Sequence, residues 1–98
     1  MTTDQFSVDG TSAIVTGSSS GIGRSIAERF ADDGADVVVS SREQENVDPV
    51  AEGINEADGG RALAIECDVR DRGAVDDMVR TTIDEFGGID VMVNNAGI

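Results

Sequence analysis

A chain of 98 residues is one domain at most, and at that length folding buries only about 60 to 68% of the surface the unfolded chain exposes. Twenty Asp and Glu stand against seven Arg for a formal net charge of −13, with no Lys, His, Tyr or Trp. So negative a surface argues against nucleic acid or an anionic membrane as partner, because phosphate attraction needs clustered Lys or Arg.

The first ten residues, MTTDQFSVDG, carry an acid at Asp4 and no apolar segment of signal-peptide type, and no apolar run is long enough to cross a bilayer. Cys67 is the single cysteine and lies in an apolar run, so it reads as a small buried thiol in a reducing cytoplasm. Residues 12–15 read as a buried strand that runs into the bend TGSSSGIG, Thr16 to Gly23. Ile22, Ile26, Ala27 and Phe30 then recur at helical spacing over residues 22–33, and Gly34 is placed to cap that helix. Residues 36–41 hold Val37, Val38 and Val39 without alternation, the pattern of a strand covered on both faces.

Pro49 suits a first helical turn, followed by Val50, Ala51, Ile54 and Ala57 until Gly59 and Gly60 stop the segment. Residues 62–67 form a third strand, and Asp71 can cap a third helix with the stripe Val75, Met78, Val79, Ile83 and Phe86, ended by Gly87 and Gly88. Residues 89–93 make a fourth strand. Alternation of this kind implies right-handed crossovers and an α/β fold: a Rossmann-like, doubly wound parallel sheet of order 3-2-1-4 with helices on both faces. The fourth strand, VMV, is left as an exposed edge open to self-association.

A strand that ends in a glycine-rich bend and opens a helix aims backbone N–H groups and the positive helix end at one point, where a phosphate fits. Gly17, Gly21 and Gly23 supply conformations and close approach that a Cβ would forbid. A plain structural turn would also use glycine, yet no acid occurs between Asp9 and Glu28, and Arg24 sits in the helix's first turn. A Walker loop is ruled out by the missing Lys.

Together TGSSSGIG, the pair Asp68 and Val69 after strand three, and NNAG at residues 94–97 resemble the classical short-chain dehydrogenase/reductase family across nearly the whole chain. The resemblance implies that Gly17, Ser19, Ser20, Gly21, Ile22 and Gly23 wrap a cofactor pyrophosphate and its ribose. It implies that Asp68 accepts from the adenine amino group with Val69 beside the ring; a cap for the following helix is the lesser, competing reading of Asp68. Asn95, Ala96 and Gly97 would line the floor near the riboses, with Asn94 holding strands together.

An NAD-selecting site places an acid at the end of strand two, whereas an NADP-selecting site offers Arg to the 2′-phosphate. Here Ser41 holds that position and Arg42 follows, which favours NADP over the alternative NAD; Arg42 paired with Glu43 or Glu45 is the competing reading. The family's catalytic Ser, Tyr and Lys lie beyond NNAG, so none is assigned here. The expectation is the N-terminal part, residues 1–98, of an oxidoreductase that interconverts a small-molecule carbonyl and a secondary alcohol. A half-domain that binds an adenine nucleotide without chemistry, or an interaction module that holds a partner chain, is the alternative.

Excess Asp with Lys absent resembles proteins of salt-accumulating organisms, in which screening relieves like-charge repulsion; an ordinary acidic cytoplasmic protein is the other reading. On the first, the thermal midpoint rises between low salt and molar KCl, and a midpoint indifferent to KCl in a melting series removes it.

Overall fold

The computed structural model describes residues 10–95, which contain seven elements in strict alternation: β1 (Ser12–Thr16), α1 (Gly21–Asp32), β2 (Asp36–Ser41), α2 (Gln44–Glu56), β3 (Ala62–Glu66), α3 (Arg72–Phe86) and β4 (Val91–Asn94). The four strands form one parallel sheet in the order β3-β2-β1-β4, as the alternation predicts. Every residue of β1 is buried, because it pairs on both sides, Ala13 with Val37 of β2 and with Val91 of β4. Among the described residues no helix is long and apolar enough to cross a membrane.

Side chains alternate across the sheet. Ala13, Val15, Val37 and Val39 face α1 and α2, and Ile14 and Val38 face α3 with Cys67 and Met78. The unalternating valines of β2 are thus explained: both faces are covered. Helix α1 ends in a Schellman motif, in which the N–H of Gly34 donates to the Ala31 carbonyl and that of Ala35 to the Phe30 carbonyl, with Gly34 at φ +100°. Asp71 caps α3 by accepting from the Ala74 N–H at 3.2 Å.

Strand β3 ends at Glu66 and β4 runs from Val91 to Asn94, a residue or two off the expected bounds, and three larger differences from the sequence expectation stand out. Helix α2 starts at Gln44, so Pro49 lies inside it instead of in its first turn. The Ser41 hydroxyl accepts from the Glu43 N–H at 3.2 Å and donates to the Glu43 carbonyl at 2.9 Å, a local turn that starts the helix early. In α1 the buried stripe is Gly23, Ala27 and Ala31, small residues that let the helix approach the sheet; Ile26 and Phe30 lie half-buried beside it and Ile22 is 73% exposed. In α3 the polar Thr82 is buried, its hydroxyl donating to the Met78 carbonyl at 2.7 Å, while Ile83 faces out.

The edge strand β3 is sealed by amide side chains of α2. Asn55 donates to the Ala62 carbonyl at 3.0 Å and accepts from the Ala62 N–H at 2.8 Å. Gln44 donates to the Ala64 carbonyl at 2.9 Å and accepts from the Glu66 N–H at 2.9 Å. Backbone groups that would otherwise template another strand are thereby occupied. Replacing Asn55 by Ala removes two of these bonds, and urea unfolding is expected to show a loss of about 1–2 kcal/mol.

Candidate functional site

All four strands point their C-terminal ends at one edge of the sheet, and the loops that leave β1, β2 and β3 form a cleft of about 440 Å³. Its lining joins Gly17 and Ser19 from the loop after β1, Ser41 and Arg42 after β2, and Cys67, Asp68, Val69 and Arg70 after β3. Six residues singled out from sequence therefore meet there: Gly17, Ser19, Ser41, Arg42, Asp68 and Val69.

The loop at residues 17–20 reverses the chain between β1 and α1. Gly17 and Gly21 sit at φ +64° and +60°, the left-handed region that glycine tolerates. Gly23 has ordinary angles but no room, since a Cβ there would collide with the Gly17 carbonyl and lie 2.7 Å from the Asn95 amide nitrogen. Two side chains fix the loop. The buried Ser18 hydroxyl donates to the Val15 carbonyl at 2.8 Å and accepts from the Ser40 N–H at 2.8 Å. Asn95 donates from Nδ2 to the Gly17 carbonyl at 3.0 Å.

Ser20 stands at the N-cap of α1 without a side-chain capping bond, and the first turn holds no acid. The opening N–H groups of the helix, with the positive end of its dipole, are left for an incoming anion. Ser20, Gly21 and Ile22 are exposed along this turn, and Gly23 lies beneath it. Arg24 pairs instead with Glu28 at 3.2 Å on the outer surface, which removes it as a cation of the bend. Asn94 accepts from the Thr16 hydroxyl at 3.3 Å and so ties β4 to β1, as expected from sequence. Ala96 and Gly97 lie outside the described residues.

Asp68 does not cap α3; that role falls to Asp71. Its carboxylate takes three hydrogen bonds from Arg70: Oδ1 from the backbone N–H at 3.0 Å and from Nε at 3.1 Å, and Oδ2 from Nη2 at 2.9 Å. These bonds, first of all those from the guanidinium, hold its pKa down to about 2, with Arg42 adding a favourable charge. Cys67 is buried beside it, and burial pushes its thiol pKa up, so it is an inert wall residue. Five of the seven arginines pair with carboxylates, namely Arg24, Arg29, Arg61, Arg70 and Arg80. Arg42 is exposed at the cleft and makes no ion pair with Glu43, Glu45 or any other described residue.

The family model described as "short chain dehydrogenase" matches residues 11–98. The chain belongs to the short-chain dehydrogenase family. It is 45% identical over 86 residues to the (2S)-[(R)-hydroxy(phenyl)methyl]succinyl-CoA dehydrogenase subunit of Thauera aromatica, a match covering 88% of this chain and 34% of that protein. It is 43% identical over 95 residues to gluconate 5-dehydrogenase of Gluconobacter oxydans, covering 97% of this chain and 37% of that one. The crystal structure of a short-chain type dehydrogenase/reductase from Mycobacterium marinum superposes with TM-score 0.92 at 41% identity, covering all of this chain and 39% of that one. The short-chain dehydrogenase sequence here thus spans about a third of the length of the curated relatives it matches. The shared fold is the Rossmann-like half sheet, and the family is one of oxidoreductases that bind nicotinamide dinucleotides.

Two positioning residues escape sequence reasoning. Ser18 stands between Gly17 and Ser19 with nothing in the sequence to set it apart, yet it alone of the three loop serines is buried. Arg70 carries no motif, and only its spacing of two from Asp68 hints at the pair. Gly23→Ala is expected to push the loop off the helix and cost about 1–3 kcal/mol in urea unfolding, with Gly21→Ala strained for a different reason, its positive φ.

Proposed function

We propose that this chain is the NADP-binding part of an oxidoreductase that interconverts a small-molecule carbonyl and a secondary alcohol by hydride transfer. The observation that carries the choice of cofactor is Arg42, a cation at the cleft that makes no ion pair among the described residues, next to Ser41 where an NAD-selecting site would place an acid. The fit to a dinucleotide rests on the left-handed Gly17 and Gly21, the close approach that Gly23 permits, and the acid-free start of α1.

In this reading the N–H groups of Ser19 to Gly23 and the hydroxyls of Ser19 and Ser20 hold the pyrophosphate. Asp68 accepts from the adenine amino group with a lone pair that Arg70 leaves open, and Val69 packs against the ring. Asn95 floors the ribose region and at the same time holds the Gly17 carbonyl. Arg42 meets the 2′-phosphate, and the Ser41 turn fixes the backbone from which it projects. The cofactor supplies the hydride; this chain's residues bind and orient it. With no Tyr, Lys or His among its 98 residues, none of them is assigned a proton-transfer role.

A charge-assisted bond from Arg42 to the phosphate is worth about 1.5–3 kcal/mol, or one to two decades of preference. Fluorescence titration is expected to give tighter binding of NADPH than of NADH, and Arg42→Asp to reverse the order. Equal affinities in both proteins would refute the assignment.

A further inference from the structure

Arg70 and Arg42 line the same cleft, with Asp68 also on its wall. Their surroundings differ. Arg70 lays its guanidinium fork across both oxygens of Asp68 and adds its own backbone N–H, so the carboxylate is held at three points. Arg42 has no such partner, although its charge reaches Asp68. The wall therefore carries two cations and one anion, and the anion is neutralised by one particular cation.

We infer that Arg70 is a specificity-determining residue: by occupying Asp68 it leaves Arg42 as the net positive charge that selects a phosphate on the adenosine ribose. The inference rests on the nucleotide-cleft reading above. Without Arg70, Asp68 would draw Arg42 into an ion pair or stand as an uncompensated negative charge on the wall. Either outcome repels or displaces a phosphate dianion and leaves a neutral ribose hydroxyl nearly indifferent. Arg42 and Arg70 are the cations lining the cleft, so the loss of Arg70 leaves Arg42 alone against Asp68 in a chain of net charge −13.

The distinction can be read with two small probes that differ by the ribose phosphate, 2′,5′-ADP and 5′-AMP, titrated calorimetrically into the 98-residue chain. The wild-type chain is expected to prefer 2′,5′-ADP, and Arg70→Ala to cut that preference about fivefold, the effect of one unit charge acting across a solvated pocket. Arg70→Lys keeps the charge and is expected to keep the preference. Asp68→Asn combined with Arg70→Ala removes the anion that Arg70 neutralises and is expected to restore it, which a merely structural role for Arg70 would not do. Circular dichroism of each variant checks that it is folded. If the wild-type chain binds neither probe, the cleft reading fails and this inference with it. If the wild-type preference is present and survives Arg70→Ala, or the double variant does not recover it, the role of Arg70 is overturned while the cleft reading stands.

Discussion

Strand β1 is buried over its whole length and bonded on both sides, and the geometry of the cleft hangs from its C-terminal end. The chain leaves that end at Gly17 and enters α1 four residues later. So short a reversal stays in one conformation only if it is tied to the elements around it. Ser18 ties it to β2 through the Ser40 N–H, and Asn95 ties it to the far side through the Gly17 carbonyl. Gly23 completes the arrangement by letting the helix lie against the same carbonyl. Donors held in place before a ligand arrives need no ordering on binding, which is the physical use of so many restraints on a four-residue loop.

The sheet and its helices were legible because each element states its period strongly. Val37 to Val39 reads as a doubly covered strand, and the glycines at 34 and 87 end helices where the structure places left-handed residues. The misses have a common cause: apolarity is a poor guide to which face of a helix is buried when small or polar residues do the packing. In α1 the apolar spacing points to Ile22, Ile26, Ala27 and Phe30, of which Ala27 is buried, yet close approach to the sheet favours the small residues Gly23 and Ala31 on either side of Ala27 at the same spacing. In α3 Thr82 is buried because its hydroxyl is satisfied within its own helix, which frees Ile83 to face out.

At the cleft, the glycines of the loop after β1 and the Ser41–Arg42 pair could be read from order and spacing. The supports could not. Ser18 looks like its neighbours Ser19 and Ser20, and only the three-dimensional proximity of β2 turns it inward. The sequence points to Asp68 as an acceptor or a cap; that Arg70 folds back two residues to hold it depends on the turn after β3, which has no period to read.

The two edges of the sheet show how the same chemistry can close one border and leave another open. At β3 the amides of Gln44 and Asn55, spaced eleven residues apart on α2, reach the backbone at both ends of a five-residue strand. A helix of thirteen residues laid along the strand can do this because eleven helical residues rise about 16 Å, close to the length of five extended ones. At β4 no helix of the described residues lies alongside, Met92 is 48% exposed, and no side chain of the described residues bonds outward to Val91 or Met92. Strand β4 is therefore held by β1 on one side alone, and the Asn95 that anchors the glycine loop follows directly from it. Asn95 thus reaches the Gly17 carbonyl from the end of a strand whose pairing, among the described residues, is with β1 alone, so the order of the glycine loop depends on that one ladder.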